Sequence, residues 1–136
     1  MHHKYVNSSP EEVLQNCILT NVWSKSSSKS INSETIASGA VQSYTIGNTG
    51  TYVAIVTSTG WYAHHVIKIN DVILDPVQIQ TPYNNTRATV TKSRKSYTLQ
   101  LNAGDVIKFC AVTMGHTDGT TYNTTSTITL LSVTSS

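Results

Sequence analysis

Charge is scarce in this chain. Only 12% of its 136 residues are charged, and nine Lys and Arg against seven Asp and Glu leave a formal net charge of +2. That is too little to build the basic field on which nucleic-acid affinity rests, so no DNA or RNA partner is expected. Cysteine is rare too. Cys17 and Cys110 lie far apart and match no metal or redox spacing, which gives no sign of a disulfide framework and reads both as small buried hydrophobes. Phe109 is the single phenylalanine, and no apolar run nears the ~20 residues of a membrane span. Met1-His2-His3-Lys4-Tyr5 lacks the apolar core of a signal peptide, so a chain made in the cytosol is expected. Asn7-Ser8-Ser9, Asn84-Asn85-Thr86 and Asn123-Thr124-Thr125 fit the glycosylation sequon, but a chain this rich in Ser, Thr and Asn produces such matches by chance.

What the chain does have is hydroxyls. Ser and Thr crowd almost every stretch, and the 38% of hydrophobic residues are spread among them in short runs. Thr is β-branched and suits a pleated, half-buried surface, whereas a helical domain would call on the Ala, Leu, Glu and Lys that are scarce here. The length suits one domain with one core. One helix start stands out: in Ser9-Pro10-Glu11-Glu12 the serine can cap, the proline suits the first helical position, and the acids complement the helix dipole. Val13, Leu14 and Cys17 would form its apolar stripe, and Ile18 to Trp23 then looks like a strand. Ser24 to Ser30 has almost nothing to bury and reads as a loop or flexible linker. Residues 1–35 are accordingly expected to be an N-terminal arm with a short helix and linker, and 36–136 a β-sandwich domain.

From Ile36 onward, strands alternate with turn signals. Val41 to Ile46 is followed by the turn Gly47-Asn48-Thr49-Gly50. Tyr52 to Thr57 is apolar on both faces. His65, Ile67 and Ile69 alternate up to Asn70-Asp71, and a hairpin closed there sets Ile69 against Val72 and Ile67 against Leu74. Asp75-Pro76 ends that pairing. Lys92, Arg94 and Lys95 lie in a Ser/Thr-rich segment that reads as a solvated turn, with an anion site as the alternative. Tyr97, Leu99 and Leu101 alternate with polar residues, Asn102-Ala103-Gly104-Asp105 turns the chain, and Val106 to Val112 is again apolar on both faces. Met114 to Asn123 is a polar loop, and Thr127 to Val133 closes the fold.

Several of these segments resemble the globular-head family shared by complement-type and tumour-necrosis-factor-like proteins. Gly50-Thr51-Tyr52 is similar to its Gly-x-Tyr strand opening, and Ile69-Asn70-Asp71-Val72 stands where the family places an Asn-Gly-type hairpin. Leu99-Gln100-Leu101-Asn102-Ala103-Gly104-Asp105-Val106 looks like its Leu-x-Leu-x-x-Gly-Asp-x-Val turn, and Ser126 to Leu131 like its final core strand. The resemblance implies an all-β fold, a jelly-roll-type antiparallel β-sandwich that forms homotrimers. It departs from the family in its single Phe and in having no collagen-like stalk. Such heads also occur on bacteriophage particles, and the hydroxyl-rich, sparsely charged composition is similar to a virion protein in style. The expectation is a non-enzymatic phage structural protein located in the virion, acting as a receptor-binding tip or a capsid or tail decoration. Its partners would be other virion proteins, reached through the N-terminal arm, and a host cell-surface glycan; no membrane insertion is expected.

Catalysis has little to stand on. There is no Gly-x-Ser-x-Gly elbow and no evident carboxylate pair. His64 and His65 are adjacent on a strand and point to opposite faces, so they cannot easily share a metal. With Tyr52, Trp61 and Tyr62, His64 is a candidate for a subunit interface; with Trp61 and Tyr62 the two histidines could equally line a ligand groove, ordinary strand packing being the alternative. His116 and Asp118 have a ligand-like spacing but no further ligand set nearby, so neither a metal nor another cofactor is expected. Tyr83 and Asn85, and Tyr122 beside Asn123, combine an aromatic ring with amides and hydroxyls, the chemistry that grips sugars. The alternative for both tyrosines is that they pack down as loop anchors. The rival function is a monomeric, lectin-like carbohydrate-binding module.

Overall fold

The computed structural model describes residues 17–74, 90–116 and 118–135, with the side chains of 90–92 excepted. The strands are β1 (Cys17–Ile31), β2 (Ile36–Ser38), β3 (Gln42–Thr45), β4 (Gly50–Trp61), β5 (His64–Ile69), β6 (Val72–Ile73), β7 (Val90–Leu101), β8 (Val106–Met114) and β9 (Tyr122–Ser135). A four-stranded sheet runs β1-β9-β4-β7, and it faces a five-stranded sheet running β2-β8-β5-β6 in which β3 also pairs with β8. All pairings are antiparallel. They nest: β1 with β9, β3 with β8, β4 with β7 and β5 with β6 are the pairs made when one long hairpin is doubled back and rolled up, the jelly-roll arrangement. The chain is thus an antiparallel β-sandwich with jelly-roll-type pairing. The helix expected from Ser9 onward lies outside the described residues, and Cys17, assigned to its stripe, opens β1 instead.

Two loop assignments are overturned. Ser24 to Ser30 is not a linker but the middle of β1, paired residue for residue with β9. What it lacks in buried side chains it recovers across the strand, where Ser24, Ser26, Ser28 and Ser30 meet Thr129, Thr127, Thr125 and Asn123 at 3.0, 2.9, 2.9 and 2.5 Å. Cross-strand hydroxyl pairs of this kind are a recognised source of sheet stability. Lys92, Arg94 and Lys95 belong to β7, opposite Thr59, Thr57 and Val56, and not to a turn. Among the described strands β7 stands at the edge of its sheet, where cations such as Arg94 are a common device against the addition of a second sheet.

Alternation decides which side chains enter the core. The four-stranded sheet contributes Trp23, Tyr52, Ala54, Val56, Leu99, Leu101, Ile128 and Leu130, and Ile67, Ile107 and Phe109 face them from the other sheet. The hairpin at Asn70-Asp71 forms as its sequence predicts. Ile69 pairs with Val72, the Leu74 amide donates to the Ile67 carbonyl at 2.9 Å, and both turn residues take positive φ (50° and 66°), as a type I′ turn requires. The Asn102–Asp105 turn is locked to it. Asp105 Oδ2 accepts the Asn102 amide at 2.7 Å, Asp105 Oδ1 accepts from Asn70 Nδ2 at 2.9 Å, and Asn70 Oδ1 accepts the Val106 amide at 2.9 Å. The Asn102 amide and the Asn70 side chain hold the Asp105 carboxyl below its ordinary range.

The opposite end of the interior is lined with hydroxyls. Ser27, Ser58, Thr113, Thr124 and Ser126 are all buried there. Between β2 and β3 the edge of the sheet is broken, and the Ser27 hydroxyl crosses over to fill the gap, accepting the Ala111 amide at 2.9 Å and donating to the Ala40 carbonyl at 2.7 Å. Space is short here. A Cβ on Gly39 would lie 2.5 Å from the Ser28 carbonyl oxygen, so the strands approach too closely for larger side chains.

Candidate functional site

The hydroxyl-lined end carries a cap of aromatic rings. It begins at Gly60, whose φ of +119° is open to glycine and strained for other residues, and where a Cβ would meet the Asn123 carbonyl oxygen at 2.3 Å. With β4 thus pressed against β9, Trp61 and Tyr62 turn over the end of the sandwich, Tyr62 at a φ of 44°. The Trp61 carbonyl accepts the hydroxyls of both Thr113, at 2.6 Å, and Thr124, which fixes the backbone from beneath. The Trp61 ring stacks on Tyr122, with centroids 4.0 Å apart and planes 19° apart, and meets Tyr62 and His116 edge-on at 6.0 and 6.4 Å. Such contacts contribute beyond the area they bury.

The β8–β9 loop closes around this stack. Tyr122 Oη donates to Asp118 Oδ2 at 2.8 Å, Asp118 Oδ1 accepts the Thr120 amide at 2.9 Å, and the Asp118 amide donates to His116 Nδ1 at 3.0 Å. The Thr120 amide and the Tyr122 hydroxyl hold the Asp118 carboxyl low, and that same hydrogen bond raises the Tyr122 phenol. His116 Nδ1 is engaged by an amide and stands 3.7 Å from Asp118 Oδ1. Among the described residues no group of three or more His, Cys, Asp and Glu is placed to hold a metal ion.

The structure therefore gathers Trp61, Tyr62 and Tyr122 at one end, with His64 one strand position below, its ring 6.4 Å from Tyr62. Burial pushes His64 below its ordinary value. His64 and His65 do part to opposite faces. His64 pairs with Val112 on the outer face, while His65 turns inward, 2.8 Å from the Tyr97 hydroxyl. Tyr52 lies elsewhere, buried in the core with its hydroxyl donating to the Asn48 carbonyl. Tyr83 and Asn85 are outside the described residues. Sequence reading placed Trp61 and Tyr122 in separate sites. Nothing local links them, because only the β4–β9 pairing, which sets Gly60 opposite Thr124, brings them together.

A second surface is the outer face of the four-stranded sheet. Register places Leu19, Val133 and Thr51 in one row across it, and Asn21, Leu131, Val53 and Thr98 in the next. Ile55 follows beside Thr129, where the hydroxyl ladder begins. One half of this face is aliphatic and the other hydroxylic. Leu19 is 55% exposed, and Val53, Ile55, Leu131 and Val133 are half-buried by their neighbours on the sheet. The signal for this patch lay in β4, whose outward residues Val53 and Ile55 are as apolar as its inward ones. No protein family, no curated protein and no solved structure matches the chain.

Proposed function

We propose that this protein is a non-enzymatic assembly and binding module, a trimeric jelly-roll head that serves as a receptor-binding tip or decoration of a bacteriophage particle. The observation that carries the reading is the aliphatic half of the outer sheet face, Leu19, Val53, Ile55, Leu131 and Val133. An antiparallel sheet with one solvated side normally alternates apolar-in and polar-out. This face breaks the rule on two adjacent central strands, and a contiguous apolar patch of that kind marks an interaction surface. A second copy of the chain is the partner it suits, since the patch residues carry no charge and belong to a fold whose nested pairing agrees with the trimeric heads that Leu99 to Val106 resembles. Closed rings of identical chains bury such patches without leaving an open end. The phage setting rests on the low charge and hydroxyl-rich composition. The aromatic cap would face outward from such an assembly, at the end away from the Asn70 and Asp105 turns.

Light scattering of the purified protein tests this. At micromolar concentration the expected mass is three times that of the 14.8 kDa chain. Val53→Lys should give a folded monomer with an unchanged β-type circular dichroism spectrum. A wild-type protein that is only monomeric at that concentration overturns the assembly.

The aromatic cap favours a second reading, a monomeric lectin-like module. Tyr122 keeps an exposed flank beside the carboxylate of Asp118, a pairing suited to a sugar's apolar face and hydroxyls. Glycan-array binding by a monomer, lost in Tyr122→Ala, would establish it in place of the first.

A further inference from the structure

The outer face of the five-stranded sheet carries a site that neither reading uses. Cys110 of β8 and Val66 of β5 are paired there and floor a depression of 510 Å3. Its walls rise from the two edges of the sheet, Val41 after β2 and Ile73 on β6, which are 61% and 47% exposed. The volume falls within the range of small-molecule sites, and an apolar floor and walls with a few polar groups, here Lys68, Lys108 and Asp71 at one end and Ser38 at the other, are their usual composition. Burial raises the Cys110 thiol, so the floor is uncharged at neutral pH.

Lys68 and Lys108, directly opposed on β5 and β8, form the polar end. Like charges in that position destabilise a sheet, so their juxtaposition calls for a compensating anion. Asp71 compensates Lys108 with a 2.9 Å salt bridge. Among the described residues Lys68 makes no salt bridge, and it is half-buried at the rim, with Ile73 beside it across the hairpin. Asp71 lines the depression too, and its carboxyl feels Lys68 as well as Lys108, so two lysines share one carboxylate and an excess positive charge remains at the mouth of the depression.

We propose that this depression binds a fatty carboxylate, its hydrocarbon chain on Val66 and Cys110 between Val41 and Ile73, and its carboxylate on Lys68. Charge complementarity selects the occupant. A neutral alcohol leaves the excess of two lysines over one carboxylate in place, and a cationic amphiphile adds a third positive charge. The site lies on the sheet opposite the aliphatic patch of Leu19, Val53 and Leu131, so it is available to a monomer and to an assembly alike.

Isothermal titration with dodecanoate, below the concentration at which it forms micelles, tests the proposal against dodecanol and dodecyltrimethylammonium as probes of equal chain length. The expected result is saturable binding of one dodecanoate per chain, weaker binding of the alcohol, and least of the ammonium compound. Lys68→Met should weaken dodecanoate about tenfold, the contribution of one charge-assisted contact, and leave the alcohol unchanged. Val41→Glu, at an exposed position where folding is not at risk, should weaken dodecanoate as well. Val53→Lys should leave binding intact, which separates this site from the assembly reading. No saturable binding, equal affinity for the three probes, or a Lys68→Met variant that binds like the wild type would each overturn the proposal.

Discussion

Single hydroxyl groups do structural work here that aliphatic side chains do in most sandwiches. Ser27 is the clearest case, because its oxygen completes the hydrogen bonding of two backbone groups that the break between β2 and β3 leaves open. In Ser27→Ala the Ala111 amide would stay buried with no acceptor. The expected cost is about 1–3 kcal/mol of unfolding free energy, the desolvation of an unsatisfied donor, measurable as a lowered urea midpoint with an unchanged slope. Ser27→Thr is not a safe replacement, since the hydroxyl must stay between the Ala111 amide and the Ala40 carbonyl at a place so close to β2 that even a Cβ on Gly39 would come 2.6 Å from the Ser27 oxygen. None of this is visible in the sequence, where Ser27 is one of a run of serines. Asn70 and Asp71 were legible for the opposite reason: the turn they form dictates its own residues, and positive φ at both positions is the requirement they satisfy.

Among the elements, those patterned by strict alternation were the readable ones. Ile67 to Leu74 carries its partner nearby, so local reasoning sufficed to place its turn and register. The Asn102–Asp105 turn was readable from its own residues, which Asp105 closes on the Asn102 amide, but the strands on either side of it pair in different sheets with distant partners. β1 was not readable as a strand beyond Trp23, because its partner β9 lies about a hundred residues away and supplies the threonines and Asn123 that make a serine run worth ordering. The basic segment of β7 misled in the same way: solvated charge is a turn signal locally and an edge-strand signal once the sheet order is known. The candidate site followed suit, with its residues identifiable singly and their grouping hidden in the β4–β9 pairing. That pairing depends on Gly60. Gly60→Ala combines a positive φ with a Cβ driven into the Asn123 carbonyl and should cost about 3 kcal/mol or more. Gly104 provides the internal control. Its φ of +94° is also positive, but nothing stands within 4 Å of its would-be Cβ, so Gly104→Ala should cost only about 1–2 kcal/mol. Chemical denaturation of the two variants separates steric contact from backbone strain, and equal losses would show that the strands do not meet as closely as described.

For the whole molecule, the sparse charges place the acid limit of stability in identifiable hands. Asp71 is held below its ordinary value by Lys108, Asp105 by the Asn102 amide and Asn70, and Asp118 by the Thr120 amide and Tyr122. A carboxyl depressed in the folded state stabilises it above the unfolded value near 3.8, and that contribution is lost as pH falls through the lower folded value. His64 acts in the same direction in a higher window. Burial lowers it from 6.5, so below that pH the unfolded chain takes up the proton first and the folded state loses ground until His64 itself protonates. Between pH 3 and pH 8, stability should therefore be level from about pH 7 to 8, decline modestly from about pH 6.5 downward, and decline again below about pH 4. His64→Gln should abolish the upper step and spare the lower one, and Asp105→Asn should shrink the lower step alone. Urea midpoints measured from pH 8 to pH 3 at one fixed protein concentration, so that any self-association contributes equally, would show the two steps. A midpoint that rises as pH falls from 7 to 5 would contradict a desolvated His64, and with it the close packing of that side of β5 against Val112 and Tyr62.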